Sequence, residues 1–154
     1  MRRFFDTNIL VYAYDARHPA KREIARSLLE DAVGSGSLVV SSQVLVEFYA
    51  SCVRKNILSG SQALALLRLW SEHDAVAQTP ELVLRGIELH QKHSLSQWDG
   101  LIVQAALDAR CDVLLSEDLQ HGRRFGELEV VNPFHESAAL HEPRRRAYGG
   151  RRKR

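Results

Sequence analysis

MRRFFDTNILVYAYD, residues 1–15, decides how the rest of the chain is read. Two arginines followed by apolar residues look at first like a secretory leader, but Asp6, Asn8 and Asp15 interrupt the apolar run, so the segment reads as folded structure. Residues 3–6 have the composition of a short strand closed by an acid. Working outward, residues 38–42 and 112–116 are further short apolar runs bounded by Gly, Ser or acidic residues, and 75–77 and 129–131 are weaker strand candidates. Helical patterns lie between them, over 19–33, 43–55, 61–73, 80–93 and 97–110. The first opens on Pro19 and ends near Gly34 and Gly36, the usual asymmetry of helix ends. In the second, Leu45, Phe48, Tyr49 and Cys52 recur at the spacing of one buried face. In the fifth, Ser96 precedes Asp99 by three residues, so Ser96 caps the first turn and Asp99 sits where the helix dipole favours an anion.

Strands alternating with helices pair in parallel through right-handed crossovers. The expected fold is therefore α/β, a three-layer sandwich with a central, mainly parallel sheet flanked by helices. With 154 residues the chain is long enough for one sizeable core and short for two. One domain is expected over residues 1–135, followed by a basic, disordered tail over 136–154.

Charge is divided unevenly. Seven of the 21 Lys and Arg residues fall in 143–154 with no acid among them, so residues 1–142 carry 14 bases against 19 acids. The body repels a polyanion unless cations intervene. The tail either stays solvated or gathers nucleic acid electrostatically. Cys52 and Cys111 have no paired spacing, which fits a reducing cytoplasm, and no apolar run reaches the roughly 18 residues of a membrane span. A soluble, cytoplasmic protein is expected.

The informative feature is where isolated acids fall. Asp6 is the only charged residue from position 4 to 14, Glu47 from 32 to 53, and Asp99 from 94 to 107. Charged side chains are seldom buried unpaired. Taken singly, Asp6 can be ending a strand and Asp99 can be a first-turn residue, whereas Glu47 has no base within six positions. Asp6 and Asp118 fall at the C-terminal ends of expected strands, and Glu47 and Asp99 in the first turns of expected helices, so all four can meet beyond the strand ends, where open parallel sheets bind ligands. Such a cluster repels itself and raises its own pKa values unless a cation sits among the oxygens. A hard ion, Mg²⁺ or Mn²⁺, supplies that charge, lowers the pKa of a bound water and neutralises phosphate oxygens.

FFDTN at residues 4–8, SSQVLVEFY at 41–49, QWDGLIVQAA at 97–106 and SEDLQHG at 116–122 stand in an order and spacing that resembles the PIN-domain ribonucleases, in particular the VapC-type toxins of VapBC toxin–antitoxin modules. The resemblance runs from about residue 3 to 132. It implies a PIN-like nuclease domain, an endoribonuclease that hydrolyses RNA phosphodiester bonds with Mg²⁺ (Mn²⁺ as substitute), and Asp6, Glu47, Asp99 and Asp118 as its acidic metal-binding and catalytic quartet. Asp6 and Asp99 are then the principal ligands, with Glu47 and Asp118 acting directly or through water. Thr7, Asn8 and Ser116 match supporting polar positions. The family pattern favours Asp118 over its neighbour Glu117, which is expected to point elsewhere. By the same resemblance the partners are an RNA substrate, a small antitoxin protein and a second copy of the chain.

Other residues are assigned lesser roles. His90 and His93 are expected on a solvated face near a helix end, His121 near the cleft without acting as a base, and Trp70 and Trp98 as packing residues. Two other readings of the whole chain are an RNA-binding module without catalysis and a haloacid-dehalogenase-type phosphatase. The phosphatase wants a second Asp where this chain has Asn8 and leaves Glu47 unexplained. No P-loop or dinucleotide-binding glycine motif follows any strand.

Overall fold

The structure is a computed structural model that describes residues 1–136. Three residues, Arg3–Phe5, form β1 at the centre of a six-stranded sheet. The helix α1, Thr7–Tyr12, follows at once, then α2 (Pro19–Ser35), β2 (Leu38–Ser41), α3 (Ser42–Arg54), α4 (Gly60–Ser71), β3 (Asp74–Val76), α5 (Pro80–His93), α6 (Gln97–Asp108), β4 (Val113–Leu115), β5 (Arg124–Phe125) and β6 (Leu128–Val131). Strand order is β3-β2-β1-β4-β6-β5; five strands run parallel and β5 returns antiparallel on β6 through a tight turn in which Gly126 takes φ 60°. The sheet is flanked by helices, the three-layer arrangement expected from the sequence.

The interior strands read as unbroken apolar runs because helices cover both faces. Phe4, Phe5, Val39, Val40 and Leu114 have no solvent exposure. The outer strand β3 is mostly exposed, as an edge can be. From β1 the chain builds outward through β2 to β3, then jumps back across the sheet to place β4 on the other side of β1. The reversal opens a crevice at the C-terminal ends of β1 and β4, where such sheets bind ligands. Asp6 and Ser116 are the first residues past those two ends.

Three expectations need correction. The six-residue α1 was not anticipated. Glu47 lies in the second turn of α3 and not in the first: the helix begins at Ser42, one residue before the expected start, where the Ser41 hydroxyl accepts the Val44 N–H at 3.3 Å. The buried face of α3 is Val44, Phe48 and Cys52, with Leu45 packed beside it and Tyr49 left 41% exposed. The remaining helices match expectation to within two residues at each end, the ordinary fraying of helix limits. The tail expected to be disordered lies, from residue 137 on, outside the described residues. Among the described residues no helix is long and apolar enough to cross a membrane.

Helices α5 and α6 meet at two glycines. A Cβ on Gly100 would stand 2.4 Å from the carbonyl oxygen of Gly86, and one on Gly86 would stand 2.7 Å from Leu101 Cδ2. The contact fixes the height of α6, and with it Asp99, the residue before Gly100. Gly100→Ala sets the better helix propensity of alanine, about 1 kcal/mol, against overpacking of about 1–3 kcal/mol on rigid backbone. The clash wins: a lower melting temperature by calorimetry is expected, whereas a rise would show that the two helices are free to separate.

Candidate active site

Asp6 is the N-cap of α1. Its extended backbone (φ −69°, ψ 157°) ends β1, and its Oδ1 accepts the Thr7 N–H at 2.8 Å. Its own N–H donates to the Leu115 carbonyl at 3.0 Å, which ties it to the end of β4. The second oxygen, Oδ2, accepts the Ser116 hydroxyl at 2.7 Å, and Ser116 Oγ in turn accepts the Asp118 N–H at 3.2 Å. One buried hydroxyl therefore connects the acids that follow β1 and β4. Thr7 makes the next link, donating its hydroxyl to Glu47 Oε2 at 2.7 Å. Gln43, one turn earlier on α3, donates to Glu47 Oε1 at 2.9 Å. Asp99 stands at the third position of α6, its N–H donating to the Ser96 hydroxyl at 3.0 Å, so the expected cap is present.

Mutual repulsion marks the four acids as neighbours. Asp6 is 5% exposed, and its carboxyl is pushed up to about 7, chiefly by burial. The Ser116 hydroxyl and the Thr7 N–H oppose that rise, and the negative charges of Asp118 and Asp99 add to it. Asp99 is also raised, mainly by burial, with Asp118 and Glu47 contributing repulsion against the Ser96 hydrogen bond. Among the described residues none of the four has a Lys, Arg or His within ion-pair distance. Asp15 provides the contrast: equally buried, it is clamped by Arg17 at 2.9 and 3.0 Å and its pKa falls. A structural acid here receives a cation; the cluster does not.

Asn8 sits at the same crevice. Its Oδ1 lies 3.5 Å from the Glu117 N–H, at the outer limit of a hydrogen bond, and its Nδ2 is buried without an acceptor among the described residues. Glu117 turns away from the acids to an ion pair with Lys21, which also reaches the Tyr12 hydroxyl. His90 Nδ1 meets the Leu95 carbonyl and His93 packs edge-on against Phe125, so neither stands on an open face as expected. His121 Nδ1 accepts the Asn132 N–H at 3.1 Å and its ring stacks on His135. Trp70 packs against Phe48 as expected, but Trp98 is 58% exposed, which corrects its reading as a packing residue. Gln43, not singled out from the sequence, was legible as the residue one helical turn before Glu47.

Among the described residues no three acidic, histidine or cysteine side chains are grouped tightly enough to enclose an ion alone. A hard octahedral cation does not need that cage: it retains several waters and is held through one or two carboxylates. The cation-free oxygens of buried Asp6 and half-buried Asp99, both with raised pKa, fit such an ion.

A mainly parallel sheet flanked by helices, with acids in a crevice at its switch point, defines the class of open α/β sandwiches. The family model "PIN domain" matches residues 3–125, and the chain belongs to the PIN-domain family. No curated protein matches it in sequence. Among solved structures it resembles a toxin–antitoxin complex from Klebsiella pneumoniae (19% identity, 85% of this chain and 97% of that one, TM-score 0.63). It also resembles VapC20 of Mycobacterium tuberculosis, a sarcin–ricin-loop-cleaving toxin (20% identity, 75% and 91%, TM-score 0.61). A third is VapBC2 from Rickettsia felis bound to a promoter DNA fragment (21% identity, 84% and 97%, TM-score 0.58). At these identities the likeness is one of fold.

Removing the charge of Asp6 tests the electrostatics apart from any activity. The carboxyl titrates near 3.8 when unfolded and near 7 when folded, so the folded state binds the proton more tightly and loses stability as pH rises between those values. In chelator, Asp6→Asn, which keeps a cap and an acceptor, is expected to be more stable than the parent above about pH 7, by up to about 4 kcal/mol. Urea titrations at pH 4 and 8 read the difference. An advantage that grows toward pH 4 would reverse the sign of the account.

Proposed function

We propose that this protein is a metal-dependent endoribonuclease, acting as the toxin of a toxin–antitoxin pair. The observation that carries the reading is the convergence of Asp6, Glu47, Asp99 and Asp118 from four separate segments on one crevice without a basic partner among the described residues. Family membership and the shared fold of toxin structures support the same direction.

In this reading Asp6 and Asp99 hold Mg²⁺, or Mn²⁺ in its place, with Glu47 and Asp118 contributing directly or through water. When bound there, such an ion would supply an activated water and offset negative charge on the phosphate. The chain's own residues set the stage for it. Ser116 and Thr7 hold both Asp6 oxygens in fixed directions, and Thr7 and Gln43 do the same for Glu47. Fixing the ligands beforehand removes reorganisation from the reaction step. A small antitoxin that covers the crevice and a homodimeric assembly complete the proposal.

Purified full-length protein is expected to cleave RNA with Mg²⁺ or Mn²⁺, to stop in chelator, and to lose at least about 100-fold in rate in Asp6→Asn or Asp99→Asn, the scale of a lost electrostatic group. Glu117→Gln, which alters contacts to Lys21 and Tyr12 and to none of the four acids, is expected to retain cleavage. Activity that survives both Asp→Asn changes places the chemistry elsewhere. RNA binding without cleavage under every metal condition favours a binding module instead.

A further inference from the structure

The α3 helix carries more than Glu47 on the side that faces the crevice. Gln43, Glu47 and Arg54 are spaced at four and seven residues, so they follow one another along one face, and two turns, about 10 Å, separate Glu47 from Arg54. Glu47 lines two cavities at once. The first, about 410 Å³, also takes in Asn8, Asp118, Arg54 and Lys55. Arg54 and Lys55 are exposed, and neither has a carboxylate within ion-pair distance among the described residues. The second, about 570 Å³, lies at the other end of the face and is walled by Trp98, Val46, Ser42, Gln43 and Gln78. Trp98 is 58% exposed and Val46 69%, so two large apolar side chains stand in water beside the acids. Gln43 ties the main chain at Trp98 to α3, because the amide nitrogen that holds Glu47 also reaches the Trp98 backbone carbonyl at 3.4 Å.

An exposed indole at one end, acids in the middle and, at the other end, two cations without an ion-pair partner among the described residues suit a ligand that is flat and apolar in one part and anionic in the next. An apolar patch by itself suits many partners, but the neighbouring cations select a polyanion, and a base bound to a phosphodiester has both features. Aromatic stacking tolerates any base and requires that the base be out of a duplex. Resting on the nuclease reading, we infer that the crevice takes single-stranded RNA along the α3 face, with one base stacked on Trp98 and a backbone phosphate beyond the acids held by Arg54 and Lys55. Trp98 determines the strandedness of the substrate; Arg54 and Lys55 position its backbone.

The test uses full-length protein in chelator, so that binding is read without cleavage, with short single-stranded RNA and a duplex of the same sequence as probes. The other tryptophan, Trp70, is 3% exposed, so a change in indole emission reports Trp98. Single-stranded RNA is expected to change that emission and the duplex is not. Trp98→Ala is expected to weaken binding about ten-fold by anisotropy while Trp98→Phe restores most of it. The slope of log affinity against log salt is expected to fall by about 0.7 in the Arg54→Ala, Lys55→Ala double variant, one neutralised phosphate's worth, and to stay unchanged in Trp98→Ala. Equal binding of duplex and single strand, or Trp98→Ala affinity and indole emission both indifferent to RNA, overturns the inference. So does an indole response to a polyglutamate peptide with RNA silent, which assigns the surface to an acidic protein segment. Stacking on Trp98 without cleavage in any metal would keep this subsite and remove the nuclease reading; cleavage unaffected by Trp98→Ala would do the reverse.

Discussion

Asp6 ends the central strand with both carboxyl oxygens engaged by Thr7 and Ser116, yet with no cation beside it among the described residues. Those hydrogen bonds do structural work. The N–H of Thr7 begins α1, the Leu115 carbonyl and Ser116 hydroxyl lock the end of β1 to β4, and the same hydroxyl receives Asp118. The connection that holds the two strand ends in register is therefore also the one that aims the acids. A buried carboxylate in this position costs free energy whenever it is ionised, and the negative charges of Asp99 and Asp118 add to that cost. The fold carries the expense at one spot while treating Asp15, the other buried acid among the described residues, in the ordinary way with Arg17.

The surrounding architecture keeps that spot in place. The jump of the chain from β3 back to β4 opens the crevice beside β1, and the glycine contact between α5 and α6 sets the level at which Asp99 enters it. On the other side, α3 delivers Glu47 with its oxygens held by Thr7 and Gln43. Side chains positioned by a strand end and two helices move less than loop-borne ones, which suits a site whose electrostatic benefit depends on fixed dipoles.

Much of this was legible in the sequence because the physics that creates the site also leaves a compositional mark. A lone acid in an apolar run is conspicuous, and Asp6, Glu47 and Asp99 stood out for that reason alone. The parallel sheet was legible from apolar strands such as LVVS at Leu38–Ser41, buried on both faces. The short helix TNILVY was not: six residues span less than two turns, and Ile, Val and Tyr suit a strand at least as well. Neighbouring Ser41 and Ser42 can both cap, so only the structure shows that Ser41 does, which starts the helix one residue earlier than expected. Glu117 and Asp118 are adjacent acids whose directions depend on Lys21, distant in sequence, and no spacing rule reaches that far. Trp98 was misread because a tryptophan is usually buried, and its exposure became visible only with the walls around it.

The central claim is that the cluster exists to hold a divalent cation and that Asp6 gives up a proton to do so. Calorimetric titration of Mn²⁺ into the full-length protein near pH 7, repeated in two buffers of different ionisation enthalpy, measures both at once. Saturable binding with net proton release is expected, with both affinity and proton release reduced in Asp6→Asn. Absence of saturable binding, or binding of equal strength and proton count in Asp6→Asn, would contradict the claim.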